Sequence, residues 1–286
     1  MPNKIRAIWA HAAYQELKRR KLNASVALDQ AGLSQLAIAD RERWIPFDKE
    51  VLFFEAAAEL SGDDCFGLHL APTIELKTAG LIAYIGLAAK TLDDAIRNLI
   101  HYQHVHNVAM DGELIEDGSH VRLRETYFQV DLHRYKQREE LDASLALHAT
   151  RWLTQKDISL VEVRFVHTRD KHRDEVERVL GCPVRYGQEY YEIVFHRDDL
   201  SLPIPTADKE LLRVLTKNAD LVLEERAANG DAFLDLVSER IVDQLSSGRV
   251  TAKKIASDLG TSQRTISRRL AEHGTSFDEL IDDIRK

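Results

Sequence analysis

Cysteine is scarce in this sequence of 286 residues, which contains only two. Cys65 and Cys182 lie far apart, form no CxxC pair and have no histidine at metal-binding spacing, which excludes a disulfide-rich scaffold and a zinc ribbon. We expect both thiols to be buried or incidental, and we expect a reducing compartment.

Long apolar runs are also missing. The longest, Gly80 to Ala89, is far shorter than the roughly 20 residues that cross a bilayer. The first 21 residues carry scattered basic side chains and no apolar stretch followed by small residues, so no export signal is recognised. We therefore expect a cytoplasmic protein that does not interact with membranes.

Motifs of catalysis are absent too. The sequence has no glycine-rich phosphate loop and no Gly-x-Ser-x-Gly motif, so we expect no enzyme, no catalytic residue and no cofactor. His101, His104 and His106 invite a metal or haem interpretation, but no carboxylate or cysteine nearby completes a ligand set. Surface or pocket-lining histidines are the favoured interpretation, with no metal site; a haem or metal sensor remains the alternative, and pH sensing is open.

Charge is unevenly distributed. The chain carries a net charge of −8, yet residues 249–273 contain six basic and only two acidic residues. A weakly acidic body with one short basic helical region is typical of a DNA-binding module attached to a sensing or interaction domain.

The first 226 residues predict an α+β domain, with a sheet and helices to one side of it. A hairpin is expected around Asp111–Gly112 and Asp117–Gly118. Predicted helices are Ile5–Arg20, Phe47–Leu60, Thr78–Leu87, Leu92–His106, Glu139–Leu153, Arg173–Leu180 and Ala207–Arg226; predicted strands are Val121–Tyr127, Leu160–Val166 and Tyr190–Phe195. Arg122, Arg124 and Arg164 lie on strands, where they either face solvent or pair with acids or, if inward, suit an anionic effector.

A linker is expected at Ala227–Asp231, where glycine and asparagine interrupt the helical pattern. We therefore divide the chain into an effector-binding and dimerisation domain, residues 1–226, and a partial DNA-binding domain, residues 227–286.

The second domain predicts three helices in succession. A packing helix from Phe233 to Leu245 ends at Ser246–Gly248. Thr251 can cap a helix over Ala252–Leu259, Gly260 and Thr261 make a tight turn, and Ser262 can cap a helix over Gln263–Glu272 that His273 and Gly274 end. This arrangement is a helix-turn-helix, so we expect an all-α C-terminal domain.

The exposed face of the third helix carries the DNA-binding candidates. Arginine can pair with guanine in the major groove, glutamine favours adenine, and Ser262 with the helix N-terminus can hold a phosphate. Lys253 and Lys254 are placed for backbone phosphates, which fix position and not sequence. The predicted DNA-binding set is Lys253, Lys254, Ser262, Gln263, Arg264, Thr265, Ser267 and Arg268.

Residues 255–277, IASDLGTSQRTISRRLAEHGTSF, closely resemble the first helix-turn-helix of AraC/XylS-type transcriptional regulators. The first half resembles the arabinose-binding-type sensor domain of the subgroup that includes ornithine and arginine utilisation regulators. The motifs on which this second resemblance is based are RWIPF at 43–47, FGLHLA at 66–71, AGL at 79–81, TLDDA at 91–95 and GCPVRYG at 181–187.

The resemblance implies a transcription regulator of the activator type that forms a homodimer. It implies a small-molecule effector, double-stranded promoter DNA and RNA polymerase as partners. It assigns base reading to Arg264, Ser267 and Arg268. The family joins two helix-turn-helix units by a long helix, and this chain has one; Ser276 and Glu279 begin that helix, which stops at Lys286. We expect a C-terminally truncated chain that binds DNA weakly. Control by protein contacts alone is a further alternative.

Overall fold

The computed structural model describes residues 3–128, 130–228, 237–238, 240–241, 244, 250–259, 262–272 and 275–285. The chain divides into two compact units, Asn3–Ala219 and a second that begins at Asp220, and the division lies within one helix, Lys209–Ala228. The boundary expected after residue 226 falls in this same helix and stays a prediction. Ala227 and Ala228 close the helix instead of opening a linker, and residues 229–231 lie outside the described residues.

The first unit combines helices with two sheets, which confirms the mixed helix and sheet expected from the sequence. Its helices are α1 Ile8–Arg19, α2 Ala24–Ala31, α3 Gln35–Ala39, α4 Phe47–Ser61, α5 Phe66–Leu70, α6 Leu81–Ala88, α7 Leu92–Tyr102, α8 Gln137–Thr154, α9 Arg173–Leu180 and α10 Arg197–Leu200, and α11 Lys209–Ala228 begins in it. Its strands are β1 Lys4–Arg6, β2 Trp44–Pro46, β3 Met110–Asp117, β4 His120–Tyr127, β5 Glu162–Arg164, β6 Val184–Arg185 and β7 Tyr191–His196.

The larger sheet has the order β3-β4-β7-β5-β6, antiparallel except for the β5–β6 pair. The predicted hairpin is confirmed: Asp117 pairs with His120 across a two-residue turn in which Gly118 has a φ of 60°. Positive φ is the conformation that glycine adopts without a steric penalty. Asp111 and Gly112, expected at a turn, lie inside β3 instead.

Two other sequence predictions are wrong at their ends. The helix expected from Ile5 begins at Ile8, because Lys4–Arg6 pair with Trp44–Pro46 as an antiparallel ribbon. The strand expected over Leu160–Val166 is only Glu162–Arg164. Both differences arise from pairing with residues distant in sequence, which local periodicity does not contain.

Two apolar clusters fill the first unit. One joins α1, α2 and α4 and includes Phe47, Phe53 and Phe54. The other lies between the strands and α7 and α8, with Leu123, Ile193 and Phe195 against Ala143 and Leu147. The inner face of the sheet is therefore apolar, and α8 contributes to both clusters.

The second unit contains α12 Ala252–Asp258, α13 Gln263–Glu272 and α14 Phe277–Arg285, and its described positions between 237 and 244 are helical. Its core consists of Val237, Ile241, Ile255, Ala256, Ile266, Leu270, Leu280 and Ile281. Within the described parts of the chain, no helix is both long enough and apolar enough to cross a membrane.

Candidate functional site

A cavity of about 190 Å³ lies in the first unit between α6, α7, α8 and the inner face of the sheet. Its walls are mainly apolar, with Ile82 from α6, Leu99 from α7, Leu123 from β4 and Leu145 from α8. A mainly apolar cavity with a few convergent polar groups is the usual form of a small-molecule site.

The polar end of this cavity is a cluster of one guanidinium and three carboxyl groups. Arg138 Nη2 lies 3.0 Å from Asp142 Oδ1 one turn further along α8, and Arg138 Nε lies 3.8 Å from Glu50 Oε2 on α4. Glu125 on β4 lines the cavity beside them. We call Glu50, Glu125, Arg138 and Asp142 the charged cluster.

Tyr127 connects two members of the charged cluster. Its hydroxyl contacts Asp142 Oδ2 closely and lies 3.1 Å from Glu125 Oε2. A phenol has only one proton to donate. If that proton goes to Asp142, the hydroxyl oxygen is free to accept a hydrogen bond from Glu125, provided that Glu125 is protonated.

The surroundings favour the protonated form of two of these acids. Burial, together with repulsion from Asp142, raises the pKa of Glu125 to about 8. Burial also raises the pKa of Glu50 to about 7, against the attraction of Arg138. Burial raises the pKa of Asp142 as well, although Arg138 and Tyr127 oppose this. At neutral pH the cluster therefore holds a proton on Glu125 and is partly protonated at Glu50.

Several buried polar atoms around the cavity have no hydrogen-bond partner. They include Nη1 of Arg138, Nδ2 of Asn107 and Nδ1 of His106, all of which belong to cavity-lining residues. Arg138 and Asn107 are 2% and 1% exposed. Because nearly all buried polar groups in proteins are hydrogen-bonded, such atoms are candidates for contact with a bound small molecule.

The N-terminal half of α8, which carries Arg138 and Asp142, is held firmly in place. The backbone nitrogen of Gly67 in α5 donates to Gln137 Oε1 at 2.8 Å, a contact that brings the two helices very close. Arg169 donates to both oxygens of Glu140, at 2.7 and 2.8 Å. These contacts lie on the far side of α8 from the cavity and orient its side chains.

A larger and more open groove, of about 610 Å³, passes Glu55, Asp64 and Lys136. The charged side chains at its centre are already paired: Lys136 pairs with Asp64, and Glu55 accepts from the backbone nitrogens of Lys136 and Gln137. The cavity beside the charged cluster is therefore the better candidate site.

The three strand arginines singled out from the sequence do not enter the cavity. Arg122, Arg124 and Arg164 all pair with Glu192 of β7, at 3.0, 2.8 and 2.8 Å. Burial alone would raise the pKa of Glu192, but hydrogen bonds from Arg124 and Arg164 outweigh it and lower the pKa. Pairing with an acid is the correct alternative, and the arginine that lines the cavity is Arg138.

The three histidines have different surroundings. His101 stacks edge-on against Tyr102, His104 Nε2 lies 2.9 Å from Asp111 Oδ1, and His106 lines the cavity. Helix α7 ends at Tyr102, so His104 and His106 lie outside the helix expected to extend to His106. Burial and the nearby Arg138 lower the pKa of His106 to about 4, which keeps its ring neutral.

Metal ligation finds no geometric support in the described residues, where no group of three histidine, cysteine, aspartate or glutamate side chains is arranged to hold an ion. The two cysteines are buried, as expected, and burial raises the pKa of each thiol to about 11.

The second unit brings the predicted DNA-binding residues to its surface. Thr251 Oγ1 accepts from the backbone nitrogen of Lys254 at 3.3 Å, and Ser262 Oγ accepts from that of Thr265 at 3.1 Å. Both predicted N-caps are therefore confirmed. The turn expected at Gly260 and Thr261 lies outside the described residues, as do the predicted helix ends at Ser246–Gly248 and His273–Gly274.

Helix α13 separates an apolar from a polar face. Ile266 and Leu270 are fully buried against Ile255 and Ala256 of α12. The predicted side chains lie away from this core: Lys253 and Lys254 of α12 are exposed, as are Ser262, Gln263, Arg264, Ser267 and Arg268 at α13, and Thr265 is half-buried. We call these eight residues the basic face.

Sequence reasoning missed the charged cluster. Arg138 and Asp142 are four residues apart in a segment with Leu141 and Leu145, so a charged pair among core positions was a readable signal. Glu50 and Glu125 come from other elements, and only the folded chain brings them to Arg138.

Comparison with known proteins gives the family. The arabinose-binding domain found at the N-terminus of AraC transcription regulators matches residues 22–204. The HTH-type transcriptional regulator VirS of Mycobacterium tuberculosis is 30% identical over 237 residues, which cover 81% of this chain and 67% of that protein. The ornithine utilization regulator of Pseudomonas aeruginosa is 23% identical over 234 residues, 81% of this chain and 68% of that protein.

The crystal structure of the transcriptional regulator CdpR from Pseudomonas aeruginosa aligns with a TM-score of 0.47 and 19% identity, covering 77% of this chain and 71% of that one. The family match and the VirS likeness define a class of transcription regulators with an N-terminal arabinose-binding-type domain. The chain belongs to the AraC-type transcription regulators that carry the arabinose-binding domain, which confirms the resemblance drawn from its sequence.

Proposed function

We propose that this protein is a ligand-responsive transcription regulator that senses a small molecule in the cavity of its first unit and binds promoter DNA through the basic face of its second. The observation that carries the proposal is the pairing of two features in one AraC-type chain. One is an apolar cavity with unpartnered polar atoms, and the other is a capped helix with a basic exposed side.

The DNA-binding part of the proposal depends on two kinds of contact from the basic face, one to bases and one to phosphates. Arg264 and Arg268 lie one turn apart on the exposed side of α13, at the spacing of neighbouring base contacts in a recognition helix. Lys253 and Lys254 lie in the first turn of α12, where cations reach backbone phosphates. Base reading by Arg264, Ser267 and Arg268 with phosphate contacts from the lysines is the arrangement we propose.

The sensing part depends on differential affinity. A ligand in the cavity changes DNA binding only if it binds one arrangement of the chain better than another. Contact of the ligand's polar group with Arg138 or Asp142 would act on α8. The opposite side of this helix is bound to Arg169 through Glu140 and to the backbone of Gly67. We propose that α8 is the element through which occupancy is transmitted.

A homodimer fits this scheme. Helix α11 exposes Leu211, Val214 and Leu221, which are spaced at three and seven residues as in a helix-pairing stripe. We propose that the chain self-associates through this stripe. Sedimentation of Val214→Glu beside the parent chain tests this, and an equal mass in solution for both proteins would reject it. Contact with RNA polymerase is proposed from the family resemblance alone.

The test of the whole proposal uses fluorescence anisotropy on a pool of genomic fragments across salt concentrations. We expect sequence-selective, salt-dependent binding that the Arg264→Ala/Arg268→Ala pair abolishes. A metabolite screen by melting temperature, run on the parent chain and on Ala146→Phe, tests the cavity, since a new phenyl ring there removes most of the free volume. Compounds that stabilise the parent chain and Ala146→Phe equally would reject ligand binding in the cavity. DNA binding that survives the double arginine substitution would reject the basic face as the DNA-binding surface.

A further inference from the structure

The charge balance of the cavity's polar end is not even. Glu50, Glu125 and Asp142 supply three carboxyl groups, while Arg138 supplies the one guanidinium of the cluster. Arg138 is itself engaged, at 3.0 Å from Asp142 and 3.8 Å from Glu50. An added anion would therefore meet a surplus of acids and a cation already neutralised.

The positions of these groups reinforce this point. The side chain of Asp142 is 13% exposed and that of Arg138 only 2%. Glu125 is likewise half-buried and lines the cavity, whereas Glu50 is fully buried. Two of the three acids, Glu125 and Asp142, thus line the cavity and are more exposed than the guanidinium.

Unpartnered atoms show that this end is a built polar site and not merely an acidic cluster. Asn107 is 1% exposed and its Nδ2 lacks a partner, as does Nη1 of Arg138. Nδ1 of the neutral His106 is a third unpartnered atom, and it accepts a hydrogen bond in the tautomer that carries the proton on Nε2. Two of these atoms are donors and would suit an oxygen, whereas the carboxyl groups of Glu125 and Asp142 suit a donor such as an ammonium group.

We propose that the cavity binds a small amphipathic cation, a protonated primary amine on an aliphatic body, with its ammonium group against Glu125 and Asp142 and its carbon chain against Leu99, Leu123 and Leu145. The size follows from the volume. An apolar cavity of about 150 Å³ holds one benzene ring, so 190 Å³ holds about eight non-hydrogen atoms.

The proton on Glu125 supplies a second signature. An ammonium beside Glu125 favours the ionised carboxylate, so binding near pH 7 releases a proton from a group whose pKa is about 8. The titratable or charged groups that act on Glu125 are Asp142, Arg138 and Glu139 of α8, and Tyr127 of its own strand. A neutral or anionic ligand lacks the charge that drives this release.

The experiment is calorimetric titration of the full chain with hexylamine, hexan-1-ol and hexanoate, which share one carbon chain and differ in charge. At pH 7 we expect hexylamine to bind about tenfold more tightly than hexan-1-ol, the effect of one buried charged hydrogen bond, and hexanoate to bind most weakly. Repeating the hexylamine titration in phosphate and in Tris measures the proton release, expected to approach one proton.

Glu125→Gln provides the matched control. It should lose the preference for hexylamine and the proton release, while its affinity for hexan-1-ol, within about twofold of the parent, shows that the cavity is intact. Tighter binding of hexanoate or hexan-1-ol than of hexylamine would overturn the proposal. So would proton release that persists in Glu125→Gln, because the proton would then come from a group other than Glu125, against which the ammonium is placed. Absence of binding by all three compounds would overturn it too.

This inference rests on the proposed sensor function, and the two can fail separately. Charge-selective binding of hexylamine without any effect on DNA affinity upholds the cation site and rejects the sensor. A metabolite that changes DNA affinity and is blocked by Ala146→Phe, in a chain that prefers hexanoate, upholds the sensor and rejects the cation site.

Discussion

Arg138 and Asp142 lie one helical turn apart on α8 and form an ion pair of 3.0 Å at the polar end of the cavity. The pair places a charged part of the cavity wall on α8, the helix that contributes to both apolar clusters. Stability and ligand binding therefore depend on the same two side chains.

Replacing Arg138 by methionine should lower the free energy of unfolding by about 3–5 kcal/mol, because three carboxyl groups would lose the one cation of their cluster. Urea denaturation at pH 7 measures this. Arg213→Met is the matched control: Arg213 is 68% exposed beside Glu210, and its loss should cost less than about 1 kcal/mol. Similar losses for both variants would mean that the cluster contributes no more than a surface pair.

Glu50 should make the folded state less stable as the pH rises. Its pKa is about 7 in the fold, above its ordinary value of 4.5, so between these values the unfolded chain loses a proton that the folded chain keeps. The contribution of Glu50 to the stability of the fold is fully present below about pH 4.5 and is lost as the pH rises to 7. Relative to Glu50→Gln, the parent should lose about 3 kcal/mol across that window. A constant difference between the two proteins from pH 4.5 to 7 would contradict the raised pKa.

Gly67 should not tolerate even a methyl group. A Cβ built on it would lie 2.1 Å from the backbone oxygen of Gln137, so Gly67→Ala must push α5 away from α8. We expect a loss of about 1–3 kcal/mol, measured by thermal or urea denaturation. In Gly86→Ala the new Cβ meets only the two methyl groups of Leu153, at 3.4 and 3.6 Å, and this helical position should be neutral or gain up to about 1 kcal/mol. Equal effects at both glycines would show that the close approach of α5 and α8 is not required.

The two parts of the basic face should respond differently to substitution. Arg268→Ala should cost about 1–3 kcal/mol on a preferred DNA site and relax the preference at one base pair, whereas Lys253→Ala should weaken all sequences alike and reduce the salt dependence. Lys156→Ala, which removes an exposed charge from the first unit, is the control. Loss of the same size on specific and random DNA for both Arg268→Ala and Lys253→Ala would contradict the assigned roles.

Local sequence patterns predicted much of this structure where contacts between residues close in sequence determine it. Serine and threonine before apolar periodicity predicted the caps at Thr251 and Ser262, and Ser276 and Glu279 form the predicted capping box, with contacts of 2.8 and 3.2 Å. These contacts span three residues, so the chain around them is sufficient to define them.

Long-range contacts explain what sequence reasoning missed. The β1–β2 ribbon joins residues about 40 positions apart, and Glu50 reaches Arg138 across 88 positions of sequence. The cavity is likewise enclosed by elements from both ends of the first unit, among them Trp9 and Phe195. A buried charge seen alone in a sequence carries no indication of its partners, so the charged cluster became visible only with the fold.

The most direct test of the account measures DNA affinity with and without the compound that most raises the melting temperature, in the parent chain and in Ala146→Phe. Ala207→Phe, which adds the same ring at an exposed position before α11, serves as control. We predict that the compound shifts the affinity of the parent and of Ala207→Phe by the same factor and leaves that of Ala146→Phe unchanged. An equal shift in all three proteins, or no shift in the parent with any stabilising compound, would contradict a regulator that senses its ligand in this cavity.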